Sequence, residues 1–262
     1  MHPSELRAGA LAALSIEQAG SKVTAVHALA SAALPLDPAL QLTPPPGIPG
    51  RPRRPRLVRP GELPRRPVTT PEGRAALLHA LAHIEFNAIN LALDAIWRFA
   101  GLPSSFYEDW LHVADEEASH FTLLEGRLRA LGFSYGDFDA HNGLWEMAEK
   151  TAGDALARMA LVPRTLEARG LDASPAIRAK LAGAGDADSA AVIDVILRDE
   201  IGHVAIGNRW FRFLCGERGL DARAADLELA TRYAAPRLRG PFNLDARRAA
   251  GFDEDELRSL QP

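Results

Sequence analysis

Two stretches of this chain place a glutamate and a histidine three residues apart in the middle of an apolar helical stripe: Glu117 with His120, then Glu200 with His203. Residues three apart on an α-helix lie one above the other on the same face. A carboxylate oxygen and an imidazole nitrogen placed in this way reach one metal ion. On a water-facing helix the same pair is ordinary solvated surface, so the stripe decides between the readings. Around the first pair it runs through Trp110, Val113, Phe121, Leu124 and Leu128. Around the second it runs through Val192, Ile193, Ile196, Val204, Gly207, Trp210, Phe211 and Leu214. One such pair carries little weight. Two, each inside a strongly helical stretch, call for helices that turn acid and imidazole inward.

A single glutamate precedes each pair at a matched distance. Glu85 lies 32 residues before Glu117, and Glu167 lies 33 before Glu200. Glu85 interrupts the stripe Leu78, Leu81, Ala88, Ala92, Ile96. The matched spacing selects Glu167 over Glu146, Glu149 and Asp154. Bundles that hold two metal ions use this arrangement: Glu-x-x-His on two helices and one Glu on each of two others. Four buried carboxylates without partners would be very costly. Two divalent cations would neutralise Glu85, Glu117, Glu167 and Glu200, with His120 and His203 supplying one nitrogen per metal. Mixed carboxylate and imidazole ligation suits iron, manganese or a mixed pair, with zinc as an alternative. Metal-bound histidines usually donate their second N–H to a carboxylate. Glu116 and Asp199, each directly before a ligand glutamate, are expected to take that part. His79, His83, His112 and His141 read as structural, although His79 or His83 could be an extra ligand or line the site.

Along the chain, residues 4–34 read as one or two amphipathic helices broken at Gly20 and Ser21. Residues 35–71 hold twelve of the 19 prolines, which disfavours helix and central strand alike. Arg51, Arg53, Arg54, Arg56, Arg59, Arg65 and Arg66, less Glu62, give the 51–66 part of this belt a charge of about +6. Such a belt either contacts nucleic acid or pairs with acids of its own protein. The absence of lysines and interleaved aromatics favours the second. A long helix is expected over 72–100, capped by Thr70 with Pro71 at its first position, and a second over 104–131. A loop comes next, at 133–143. The third helix is expected over 144–170 with a kink at Pro163, then a connection at 170–187 with a short helix at 175–182. The fourth covers 188–216, and short helices at 221–235 and 252–260 form an extension. This gives an all-α fold in three parts: residues 1–71, a four-helix di-metal domain over 72–216, and a C-terminal extension over 217–262.

Composition narrows the setting. A net charge of -4 argues against bulk nucleic-acid binding. The single cysteine, Cys215, excludes an intramolecular disulfide and fits a reducing compartment. No continuous apolar run approaches membrane-spanning length, and no export signal is visible, so the cytoplasm is the expected location. There is no Cys-x-x-Cys and no dinucleotide fingerprint, so electrons would come from a separate donor.

The segments HIEFNAINLALD, DEEASHF, LEARGLD and RDEIGHVAIGNRWF, with LRGPFN and AGF near the end, resemble a bacterial ferritin-like family of unknown function over nearly the whole chain. More remotely the pattern is similar to di-iron tRNA hydroxylases and rubrerythrin-like proteins. The resemblance implies a ferritin-like four-helix core, with the same six residues as metal ligands. It supplies no substrate. The leading expectation is a di-metal carboxylate oxidoreductase acting with dioxygen or peroxide on a small molecule. The alternatives are a metal-binding or storage bundle, in which homo-oligomers would matter, and an RNA-modifying hydroxylase that uses the arginine belt.

Overall fold

The computed structural model describes residues 4–261. It is all-helical: among the described residues the only β pairing is an isolated bridge between Leu57 and Ala140. The chain divides into two compact units, residues 1–145 and 146–262, which are described separately.

The first unit is built on a helical hairpin, α3 (Pro71–Arg98) and α4 (Ser104–Ala130). Thr70 accepts a hydrogen bond from Gly73 N, with Pro71 at the first helical position, as the sequence indicates. Gly101, at φ +79°, supplies the left-handed residue that reverses the chain. From Glu85 to Trp97 every residue of α3 is buried. The single apolar stripe read from the sequence is therefore too narrow. The reason is a second layer, α1 (Leu6–Leu14) and α2 (Ala19–Ser31), packed on the hairpin. By length and composition α3 is also apolar enough to cross a membrane, which a search for continuous apolar runs misses. However, 72% of its most apolar window is buried inside the protein, the pattern of a core helix.

Two buried cations fasten this layer. Arg7, on α1, donates to Ile96 O and Trp97 O at the end of α3, where backbone carbonyls lack helical partners. It also donates to Asp37 O, Pro38 O and Leu40 O at the start of the belt. Lys22, on α2, is fully buried and lies 4.9 Å from the Phe86 ring centroid. It donates to Leu14 O at 3.1 Å, Gly50 O at 2.8 Å and Asn90 Oδ1. Burial, with Arg51 nearby, lowers its pKa to about 7. The helix break falls at residues 15–18, not at Gly20 and Ser21, because the belt crosses there. Gly50 N donates to Leu14 O, and a Cβ on Gly50 would stand 2.3 Å from Ser15 O. Gly20 instead sits inside the first turn of α2.

The belt holds one 3-10 turn, Pro60–Glu62, and further turns at 38–39, 46–47 and 68–69, with irregular chain between them. Arg56 pairs with Asp139, Arg59 with Glu62 and Arg66 with Glu72. Arg51 lies over Trp145 and Arg66 over Phe138. Val58 N donates to Ala140 O and Ala140 N to Arg56 O, which ties the belt to the 133–142 loop. That loop inserts Tyr135 among His79, His83, Phe86 and Phe121. Burial lowers the pKa of both His79 and His83 to about 4. Geometry requires the same for His79, whose Nε2 accepts from Gly136 N.

The second unit corrects the expected third helix. Instead of one helix over 144–170 there are α5 (Gly143–Lys150, which starts at the end of the first unit), α6 (Ala155–Leu161), a π-helical turn (Val162–Glu167) and α7 (Ala168–Gly183). Asp154 ends the first piece and caps the next by accepting from Leu156 N. At Pro163 the helix widens into a π turn. The short helix expected at 175–182 is part of α7, which continues through Pro175. That proline offers no N–H to Leu171 O, and Asn243 Nδ2 donates there instead. A short turn leads to α8 (Ala187–Glu217), capped by Asp186. The chain ends in α9 (Ala222–Arg232), α10 (Leu244–Ala249) and α11 (Glu254–Ser259). α10, capped by Asn243, was not legible in the sequence.

Two outcomes are expected. Gly50→Ala should lower the unfolding free energy in urea by ~2–3 kcal/mol, because the new methyl meets backbone that cannot move away cheaply. Second, with native pKa values near 4 and an ordinary value of 6.5, His79 and His83 stay neutral while the unfolded chain gains protons. Stability should therefore be full above pH 6.5 and fall as pH drops toward 4, by ~3 kcal/mol per histidine at most. Urea melts between pH 7 and 4.5 measure the slope, and His79→Gln should make it shallower.

Candidate metal centre

Glu85 on α3 and Glu117 and His120 on α4 meet inside the first unit. Their ligand atoms all lie within 4.8 Å of one another, and none of the three is more than 3% exposed. Across the antiparallel hairpin Glu85 comes within 3.5 Å of His120, and the Phe86 and Phe121 rings meet at 5.8 Å. His120 Nδ1 is 3.4 Å from Glu117 Oε2 and 3.5 Å from Glu85 Oε2. These distances are long for charge-assisted hydrogen bonds. They match the separation of two donor atoms that each sit ~2.1 Å from a shared ion at a roughly tetrahedral angle. Glu85 Oε2 is buried and accepts no hydrogen bond.

The electrostatics agree with the geometry. Burial, then the neighbouring Glu117 carboxylate, pushes the Glu85 carboxyl well above the usual range. Burial alone would depress His120, but the Glu117 and Glu85 carboxylates outweigh it and lift the imidazole to about 11. With only protein groups present, the cluster thus holds protons to offset two buried acids. A cation would do the same more effectively. The donor set is hard oxygen plus imidazole nitrogen, in a dry setting, and it fits a metal ion.

In the second unit, Glu200 and His203 are both buried on α8, with His203 Nδ1 3.8 Å from Glu200 Oε1. Glu167 is half-buried and is the last residue of the π turn. Of the two acids expected to support the histidines, Glu116 lies 3.5 Å from His112 Nε2. Asp199 is bonded to Arg198. His83 Nδ1 meets the Tyr135 hydroxyl at 2.8 Å and its Nε2 donates to His141 O. His79 and His83 therefore serve the loop that covers the hairpin, as the structural reading holds. Cys215 is buried, and its thiol is pushed up by burial. Sequence reasoning missed Lys22 and Arg7. The available signal was a cation at an apolar helical position beside Val23 and Val26, or beside Leu6 and Ala10.

This is an all-helical protein with a buried cluster of glutamate and histidine that could hold a metal ion. The chain belongs to the family described as Protein of unknown function (DUF455), which it matches over residues 15–258. It is 51% identical over 224 residues to an uncharacterized protein of Haemophilus influenzae, covering 83% of this chain and 78% of that one. No solved structure matches it.

Replacing Glu85 by Gln separates charge from shape. In chelator-treated protein the variant should melt no lower than wild type, and up to ~1–3 kcal/mol more stable, because a buried carboxyl is gone. It should at the same time lose the rise in melting temperature that wild type gains on adding Fe(II) or Mn(II). Calorimetry with and without metal reads both effects.

Proposed function

We propose that this protein is a di-metal carboxylate oxidoreductase. In this reading the chain forms a ferritin-like four-helix bundle whose metal ligands are Glu85, Glu117, His120, Glu167, Glu200 and His203, and Glu116 and Asp199 support the histidines. The observation that carries the reading is Glu85: a fully buried carboxylate oxygen that accepts no hydrogen bond, placed at metal-ligand spacing from His120. An unsatisfied buried acceptor costs ~1–3 kcal/mol and more when charged, and a bound cation would remove that cost.

Iron is the expected metal, with manganese or a mixed pair as alternatives. When bound, such a pair supplies redox chemistry toward dioxygen or peroxide. The remaining work falls to the chain. Phe86 and Phe121, beside Glu85 and His120, keep water from the cluster. Glu85 can hold a proton there, since burial and the neighbouring Glu117 carboxylate favour its neutral form. The substrate is a small molecule. The chain's single cysteine and lack of a dinucleotide motif call for an external electron donor. The RNA-modifying alternative rests on the belt and is the weaker reading, because Arg56, Arg59 and Arg66 are engaged by Asp139, Glu62 and Glu72. Arg53, Arg54 and Arg65 remain exposed.

The test is elemental analysis of protein expressed with ample iron and manganese, then anaerobic reduction and exposure to oxygen in an absorbance cell. About two equivalents of metal per chain, with an oxygen-dependent change in absorbance, is the expected result. Less than ~0.2 equivalents would overturn the proposal.

A further inference from the structure

We propose that α10 and α11 tune the metal centre without touching it, by clamping the π turn that presents Glu167. This rests on the di-metal reading and assigns Arg164, Gly207 and Glu256 as positioning residues. Glu167 closes a turn that exists because Pro163 has no N–H to donate. The helix there widens to the i→i−5 spacing, and Thr165 Oγ1 donates to Ala160 O, five residues back, at 2.8 Å. A widened turn rotates the residues at its end away from the positions an ordinary α-helix would give them. The direction in which Glu167 points therefore depends on the turn being kept.

Two contacts keep it. The Pro163 ring lies against Gly207 on α8, where any Cβ would stand 2.5 Å from Pro163 Cβ. The next residue, Arg164, is 4% exposed and held by both terminal nitrogens of its guanidinium. It donates to Asn208 Oδ1 and Glu256 Oε1, each at 2.6 Å, with Asp226 at 3.5 Å. Its guanidinium lies 4.5 Å from the Phe211 ring and 5.0 Å from the Phe252 ring. Asn208 in turn donates to Ala250 O. Ala250, Phe252 and Glu256 all belong to the C-terminal segment, so the far end of the chain decides where this guanidinium sits.

Register carries the effect to the ligands. α7 and α8 are joined by a short turn and run antiparallel, with Arg178 bonded to Asp194 across the pair. Four residues after Pro163 comes Glu167. Four residues before Gly207 comes His203. The two candidate ligands thus lie four residues from the Pro163–Gly207 contact, one on each side of the helix pair.

The experiment uses the full chain and Co(II) as an optical probe. Glu256→Ala removes one jaw of the clamp, and Glu256→Gln keeps an acceptor in the same place. Wild type should bind two equivalents of Co(II). Glu256→Ala should bind the second about tenfold more weakly, with altered visible bands. Glu256→Gln should restore most of the affinity. Combining Glu256→Ala with Glu167→Gln should cost no more than Glu167→Gln alone, since both act through one ligand. In metal-free protein, Glu256→Ala should also speed amide exchange across residues 162–167 while residues 85–97 stay protected. Wild-type affinity and spectrum in Glu256→Ala, or additive losses in the double variant, would overturn the inference. Absence of Co(II) uptake by wild type would remove the di-metal reading and this inference together. That result is distinguishable, because the exchange measurement reports the clamp with no metal present.

Discussion

Burying a carboxylate is among the costliest things a fold can do, and Glu85 and Glu117 are buried side by side. Much of the first unit can be understood as the means of holding them there. α3 and α4 run 28 and 27 residues, far longer than two ligands require. Their length gathers apolar contact on both sides of the cluster, and α1 and α2 close the face that a lone hairpin would leave wet. Tyr135 and its two neutral histidines seal the end nearest Phe86 and Phe121. Each of these parts is ordinary hydrophobic packing. Together they exclude the water that would otherwise solvate the acids.

The protein repeatedly joins elements by burying a cation among backbone carbonyls instead of adding apolar bulk. Arg7 closes the end of α3, Lys22 gathers α1, the belt and α3, and Arg158 reaches Ala148 O and Thr151 Oγ1 across the break before α6. Arg247 spans from α10 to Asp172 and Ala168 O on α7. A guanidinium presents five donors in a fixed plane, so one side chain can satisfy several carbonyls freed where helices stop or proline intervenes. In a chain with 19 prolines such carbonyls are plentiful.

The sequence was most legible where local signals and apolar period agree. Thr70–Pro71 and Gly101 mark the ends of α3 in plain view, and Glu85, Glu117, His120, Glu200 and His203 all lie buried on the helices where their stripes place them. It misled where period continued through a break. Leu144, Met147, Leu156 and Met159 suggest one helix, yet Asp154 caps a new start between them. Pro175 misled in the opposite way, because the group that replaces its missing N–H, Asn243, is remote in sequence. The buried lysine and arginines were illegible for a related reason. Their acceptors are carbonyls of distant residues, and a carbonyl leaves no trace in the side-chain pattern.

The contacts of Arg7 also have a consequence for synthesis. Its guanidinium reaches carbonyls 89 and 90 residues further along the chain. α1 therefore leaves the ribosome well before its partners exist, and at ~5–20 residues per second the interval lasts several seconds. During that time Leu6, Leu11 and Leu14, buried in the finished protein, have no hairpin to rest on. α1 is made before α3 and secured only after it, so in that interval it is a natural client for a chaperone.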